Sequence, residues 1–347
     1  MVSSIEGIDA QRVTDWLVDN VDGVVPPVSY QLIAGGRSNL TYRVTDSQGG
    51  SLALRRPPLS HVLPTAHDMA REHRVISALG STPVPVPTTY GLCTDESVNG
   101  APFYVMEFVE GHIVRDAQIA ESVFDVAARR RAGESMADTL AALHAVDVDE
   151  VNLGDFAKRD GYIERQLRRW YEQFRNSIVG EGIDTAELVG NVHDRLSASV
   201  PPQKGTAIVH GDYRLDNAVL DDTGAVRAVL DWEICTLGDP LADMGLLMVY
   251  WTEPGDEGAL LGVTPTALEG FPPRARMKDI YAAASGRDLS DLAFYVAFGY
   301  WKLACIVQGV YARYAGGATA GDRSSVDAFA GSVVRLSEMA LRTLEDL

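Results

Sequence analysis

The chain has 347 residues, nearly half of them apolar, and a formal charge of −18 from 48 acidic against 30 basic side chains. That length supports a substantial core and about two domains or lobes. The acidity excludes a broad phosphate-binding surface for nucleic acid and a dock on anionic membranes, while leaving room for attraction of a cationic substrate.

Asp9 is placed to N-cap a first helix with Val13, Trp16 and Leu17 on one face. Leu40, Tyr42 and Val44 then alternate with polar residues, as do Leu52 and Leu54, which predicts strands. Gly35-Gly36, between Tyr30–Ile33 and Leu40–Val44, reads as the tip of a hairpin. Thr65 and Asp68 form a capping-box pattern before a helix running to about Leu79. Pro83, Pro85 and Pro87 force an extended segment, and Phe103–Val109 reads as a buried strand that Glu110-Gly111 ends.

Helices dominate the rest. Met136, Leu140 and Leu143 share a face, and Ile163, Leu167, Trp170, Phe174 and Ile178 share another over four turns. A short β island follows: Ala207–Val209, Ala218–Leu220 and Ala228–Leu230. Residues 252–275, rich in Pro and Gly, read as a mobile connection, and Leu289–Val310 and Ser324–Leu344 as final helices. A β-rich half followed by a helical half with an embedded hairpin predicts a cleft between them.

Residues 1–20 hold Glu6, Asp9, Asp15 and Asp19 rather than the apolar run of a secretory signal, and no uninterrupted apolar stretch reads as long enough to span a bilayer. Cys93, Cys235 and Cys305 are odd in number, widely spaced and without a Cys-x-x-Cys pair. That argues against a disulfide framework or a cysteine zinc site and for a reducing, cytoplasmic location.

The chemistry-bearing residues concentrate in the β island. Asp212 follows its first strand, Asn217 precedes its second and Asp231 follows its third, with the turn signal Asp221-Asp222-Thr223-Gly224 between. A hairpin centred near Gly224 would bring Asn217 and Asp231 almost opposite each other, about 5 Å apart at their α-carbons. An amide oxygen and a carboxylate so placed can share Mg²⁺, which takes its remaining ligands from water and phosphates. Asp212 could then receive the proton of a substrate hydroxyl. Charge neutralisation on phosphates plus a carboxylate orienting the nucleophile are the parts phosphoryl transfer needs. Taken singly, each residue also suits a turn or a cap.

His210-Gly211-Asp212 with Asn217, then Asp231, resembles the catalytic and metal-binding signature of aminoglycoside phosphotransferases and their protein-kinase-like relatives. The resemblance implies that Asp212 is the catalytic aspartate and that Asn217 and Asp231 bind Mg²⁺. The run from Leu230-Asp231-Trp232-Glu233 to Gly238-Asp239-Pro240 and Asp243 is similar to the family too. It implies that Asp239 and Asp243 brace the catalytic loop, though capping of the helix Leu241–Trp251 explains both equally well. His210 reads as structural rather than as a proton carrier.

Ala34–Asn39 resembles the family's nucleotide-positioning loop, in which the Gly35 and Gly36 backbone and Ser38 would meet phosphates. Phe103–Gly111 resembles the hinge that holds adenine. The backbone of Glu107 and Val109 would make the hydrogen bonds and Met106 would line the pocket. The family's usual lysine on the third strand is replaced here by Arg55, with Glu72 as its ion-pair partner. Strand alternation puts Ala53 and Arg55 on one side, which favours Arg55 over Arg56 for the nucleotide. Arginine keeps the charge but differs in reach and geometry.

Gly161–Trp170, Gln308–Arg313 and Leu143–Asp147 resemble the kinase-like domain fused to, or accompanying, certain acyl-CoA dehydrogenases. The whole resemblance implies an α+β, protein-kinase-like two-lobe fold, with residues 1–109 as the nucleotide-binding lobe and 110–347 as the catalytic and substrate-binding lobe. It implies an ATP- and Mg²⁺-dependent kinase acting on a small-molecule hydroxyl, in this branch a hydroxy acid or hydroxyacyl-CoA. No nucleic-acid or membrane partner is expected. An aminoglycoside or macrolide acceptor, and a nucleotide- or acyl-binding pseudokinase, remain as alternatives. Arg165, Arg168 and Arg169 are candidates for attracting an anionic substrate, or simply a solvated face.

Overall fold

The computed structural model describes residues 5–34, 39–59, 68–178, 183–256, 264–315 and 323–345. Helix α1 (Ala10–Asn20) starts at Asp9, whose carboxylate accepts the Arg12 N–H at 3.2 Å, one of the amides a first turn leaves unpaired. Strands β1 (Ser29–Ala34), β2 (Leu40–Thr45) and β3 (Ser51–Arg56) follow, then helix α2 (Met69–Leu79), β4 (Thr89–Cys93), helix α3 (Glu96–Asn99) and β5 (Phe103–Glu107). The five strands form one antiparallel sheet in the order β1-β2-β3-β5-β4.

Alternation along β3 decides which side chains serve which core. Leu54 packs with Val13, Leu17 and Phe103 under α1. Ala53, one residue earlier, joins the larger core that runs through α2 and on into the helices. Asp68 is itself the N-cap of α2, accepting the Arg71 N–H at 3.0 Å. The helix therefore starts at Met69, and the proposed partner Thr65 lies outside the described residues.

Helices α4 (Ala117–Val123), α5 (Val126–Ala145), α6 (Tyr162–Asn176) and α7 (Ile183–Ala198) precede the β island of β6 (Ala207–Val209), β7 (Ala218–Leu220), β8 (Val226–Val229) and β9 (Thr236–Gly238). Helices α8 (Leu241–Tyr250), α9 (Arg274–Ser285), α10 (Leu292–Ala315) and α11 (Arg323–Glu345) complete the chain. The buried face of α6 ends at Phe174. Ile178 lies beyond the C-cap Ser177 and is 39% exposed, so that face is one turn shorter than the periodicity suggests.

Helix α10 corrects the membrane reading, because Leu292–Ala312 is long and apolar enough to cross a bilayer by length and composition. Its most apolar window is 78% buried inside the protein, where α10 packs on α6, α7, α8 and α11. It is a core helix by placement. The described parts of 252–275 are fastened rather than loose. Arg274 pairs with Glu253 at 3.1 Å and Asp256 at 2.6 Å, and the Thr266 hydroxyl accepts from Thr252 N–H at 2.9 Å.

The island is two hairpin-like pairs, β6 with β9 and β7 with β8. The β7–β8 pair is tied to both halves of the molecule: Val229 N–H donates to Pro85 O at 2.8 Å, and His112 exchanges backbone bonds with Leu220. Its turn lies against α5. Gly224 has φ +85°, and a Cβ there would stand 2.1 Å from Ala128 O. Gly224→Ala combines left-handed strain with a backbone clash, and is expected to lower unfolding free energy by about 2–4 kcal/mol, measured by urea titration.

Candidate active site

The loop after β6 is shaped by a buried carboxylate. Asp243, in the first turn of α8, accepts the His210 N–H at 2.6 Å and the Gly211 N–H at 2.8 Å. His144 stands 3.3 Å from the same carboxylate and takes the Tyr281 hydroxyl on its other nitrogen at 2.8 Å. Burial holds His144 below the usual histidine range, so at neutral pH it donates as a neutral imidazole. Burial alone would raise Asp243; the His144 bond, the neighbouring histidines and the Gly211 N–H outweigh it and hold the carboxyl below its ordinary value. Asp239, expected beside Asp243 as a second brace, does not touch this loop. It accepts Leu241 N–H at 3.0 Å and the Tyr295 hydroxyl at 2.6 Å, joining the start of α8 to α10.

His210 is fully buried. Its Nδ1 accepts the Asp212 N–H at 3.2 Å and its Nε2–H donates to Leu230 O at 2.9 Å, so both nitrogens are engaged in holding backbone. Asp212 is partly exposed. Asn217 ends a 3₁₀ turn, Leu215–Asn217, and its Nδ2 donates to Asp212 O at 2.9 Å and to Asp212 Oδ2 at 3.1 Å. That orientation spends the amide nitrogen on Asp212 and leaves the amide oxygen as the atom to meet a cation.

The register differs by one residue from the sequence expectation. Leu230 N–H donates to Asn217 O at 2.8 Å, so Leu230, not Asp231, stands opposite Asn217. The turn is tighter than one centred on Gly224, with Leu220 paired to Val226 and Asp221 N–H bonded to Ala225 O. The irregularity between Val219 and Leu220, which adds Arg227 to β8, recovers one of the two residues of difference. Asp231 comes next and turns with φ +64°, a left-handed conformation uncommon outside glycine.

Arg55 reaches Asp231 from the sheet. Its Nε lies 3.0 Å from Glu72 Oε2, its Nη2 pairs with Asp231 Oδ1, and Glu233 is 4.0 Å away. Glu72 is 1% exposed and receives the Tyr104 hydroxyl at 3.0 Å and the Asn39 amide. Burial raises Glu72 against the pull of Arg55. Burial, then Asp231, pushes the Glu233 carboxyl up to about 7, with Arg55 opposing. Arg56 faces the other way and donates to Gly7 O and, at 3.3 Å, to Asn99 O, holding the N-terminal segment.

A cleft of about 410 Å³ gathers Arg55, Met106, Glu107, Val109, Asn217 and Asp231 on its walls. Glu107 N–H is already spent on Thr88 O at 2.7 Å, so that residue can offer a base only its carbonyl. Gly35, Gly36 and Ser38 lie outside the described residues. A larger cavity of about 750 Å³ among α8, α9 and α10, lined by Met248, Lys278, Arg287 and Tyr300, contains none of the signature residues. Of the α6 arginines, Arg165 is occupied with the Lys158 and Asp160 carbonyls, Arg168 is exposed, and Arg169 lies 5.6 Å over the Trp170 ring.

The sequence reading missed Lys302. Its ammonium donates to Gly211 O at 2.7 Å from α10 and is 5% exposed. The signal was available, since Lys302 is the lone charged residue between Leu292 and Ala312.

Among the described residues no group of three or more His, Cys, Asp or Glu side chains can hold a metal by itself. Asn217 and Asp231 supply hard oxygen donors but too few to saturate an ion, which suits Mg²⁺ carried in with phosphate and water oxygens. The cleft volume also fits a nucleotide-sized ligand.

An antiparallel sheet laid beside a helical body, with Asn217 and Asp231 facing a cleft from an embedded hairpin and Asp212 bonded to Asn217, defines a kinase-like α+β fold. A crystal structure from Ralstonia eutropha JMP134, assigned to the aminoglycoside phosphotransferases, superposes with TM-score 0.82 at 32% identity, covering 97% of this chain and 98% of that one. The ADP-bound aminoglycoside phosphotransferase APH(2'')-Ib has the same fold at TM-score 0.60 and 13% identity, over 96% of this chain and 99% of its own. Residues 29–280 match the family model of the APH phosphotransferase enzyme family, and the chain belongs to that family. It is also 36% identical to acyl-CoA dehydrogenase family member 10 of Mus musculus over 80% of its own length and 26% of that protein's. The chain spans about a quarter to two-fifths of the curated relatives it matches.

Proposed function

We propose that this chain transfers the γ-phosphoryl group of Mg·ATP to a hydroxyl of a small molecule, a hydroxy acid or its CoA thioester. The observation that carries the reading is that Asn217 and Asp231 line one cleft with Arg55, itself paired with Glu72, while Asp212 is bonded to Asn217 beside it. Residues 1–109 are read as the nucleotide-binding lobe and 110–347 as the catalytic lobe. Asp212 orients the acceptor hydroxyl and takes its proton. Asn217 Oδ1 and Asp231 hold Mg²⁺, which supplies charge neutralisation on the phosphates. Arg55 meets the α- and β-phosphates, Met106 lines the base pocket, and the Glu107 carbonyl and Val109 N–H bind adenine. Gly35, Gly36 and Ser38 cover the phosphates. Likeness to family member 10 of the acyl-CoA dehydrogenases supports an acyl acceptor over an aminoglycoside. The three free, buried cysteines support a reducing, cytoplasmic setting.

One observation favours a second reading, a nucleotide binder without transfer: Arg55 already engages the Asp231 carboxylate. The two separate in one assay. ADP release is followed with Mg·ATP and a panel of hydroxy acids, their CoA thioesters, an aminoglycoside and a macrolide. At least one hydroxy acid or thioester is expected to stimulate release about tenfold or more over water. Mg·ATP binding with no stimulation by any acceptor would replace the kinase reading with the binder.

A further inference from the structure

A charged residue buried in the middle of an apolar core helix needs a reason, because desolvating an ammonium is costly and an apolar side chain of equal length would pack there at lower free energy. Lys302 is such a residue. It sits midway along α10, with Nζ 5.5 Å from the Trp170 ring centre and donating to the Gly211 carbonyl. Burial holds Lys302 below the ordinary lysine range, while Asp212 and Asp243 favour its charge and Arg169 opposes it.

Gly211 has φ +87°, so the chain turns sharply between His210 and Asp212. Asp243 on α8 takes both N–H groups on one side of that turn, and Lys302 on α10 takes the carbonyl on the other. An anion grips the donors and a cation grips the acceptor, from two helices packed on each other. Hydrogen bonds to charged partners are the strong class, and a loop held between two of them has little freedom to tilt.

We propose that Lys302 is a positioning residue for phosphoryl transfer: through the Gly211 carbonyl it fixes the His210–Asp212 turn against Asp243 and so sets where the Asp212 carboxylate stands. This rests on the reading of Asp212 as the residue that orients the acceptor. A displacement of about an ångström at such a group is enough to cost on the order of a hundredfold in rate. Lys302 itself touches neither nucleotide nor acceptor in this scheme. Its loss therefore changes turnover while leaving nucleotide affinity alone.

The test compares wild type with Lys302→Met, which keeps chain length and removes the charge, and with Lys302→Ala. For Lys302→Met, kcat for the best acceptor is expected to fall about 10- to 100-fold, the worth of one charge-assisted hydrogen bond, with KM for ATP within about threefold. Amide hydrogen exchange over 210–217 should accelerate in the nucleotide-free protein while Tm moves by less than about 3 °C. For Lys302→Ala, ethylammonium or propylammonium should restore part of kcat, and propanol should not. Unchanged kcat together with unchanged exchange overturns the proposal. So does a Lys302→Met chain that does not fold, which assigns the residue a purely structural role. If wild type transfers to no acceptor, the kinase reading fails by itself; the exchange measurement still decides whether Lys302 holds the loop.

Discussion

Asp212→Asn is expected to lower kcat about 10²- to 10⁴-fold, the range general-base contributions span, with Tm within about 2 °C of wild type. The local bonding explains the asymmetry between activity and fold. Asp212 N–H goes to His210 Nδ1 and Asp212 O to Asn217 Nδ2, and both are backbone contacts that the substitution keeps. The side-chain contact at 3.1 Å from Asn217 Nδ2 can also be retained by an amide oxygen. What disappears is the negative charge and the ability to receive a proton. KM for ATP should stay within about threefold, because phosphate contacts fall to Asn217, Asp231 and Arg55 in this mechanism. Steady-state ADP release across ATP and acceptor concentrations separates these terms. Wild-type-like kcat in the variant would remove Asp212 from the mechanism.

The sequence made local features legible and left long-range geometry out. Asp9 as a cap and the Arg55/Arg56 alternation depend only on neighbours within a few residues, and both are found in place. The Asn217–Asp231 pairing is off by one because the turn residues announce a hairpin without fixing the residue it centres on, and the extra β8 residue that partly offsets the tighter turn leaves no trace in that signal. Helices α7 and α9 were not separated from loops, although Val189, Val192 and Leu196, and Met277 and Tyr281, carry buried helical spacings. The division of labour between Asp239 and Asp243 was invisible as well. Both look like helix-start carboxylates, and only the fold of β6 against α8 decides which one meets His210 and Gly211. Lys302 stood out in its apolar helix, but its partner lies 91 residues earlier, and no local pattern names it.

Asp243→Ala is expected to reduce unfolding free energy by about 3–5 kcal/mol and to abolish measurable transfer, since it strips a buried network of its acceptor. The His210 and Gly211 N–H groups and the His144 Nε2–H would lose their acceptor in a dry interior. Asp243→Asn keeps one acceptor oxygen but sets an N–H₂ against donors, so a smaller loss of about 2–3 kcal/mol is expected. The pH dependence separates charge from shape. The Asp243 carboxyl is held below its ordinary value of 3.8 in the folded protein. Its ionised form therefore contributes stability that is fully present above that value and is lost as pH falls through the lower, folded one. The Asn variant has no such proton to take up. The stability gap between wild type and Asp243→Asn should be constant from pH 7 to about 5 and narrow as pH drops below about 4, the ordinary range for the carboxyl. Every other carboxylate titrates in both proteins and cancels in the difference. Urea unfolding of the pair at neutral pH and near pH 3 reads the gap directly. A gap that does not change with pH would mean that Asp243 holds the His210–Gly211 turn by its shape and not by its charge.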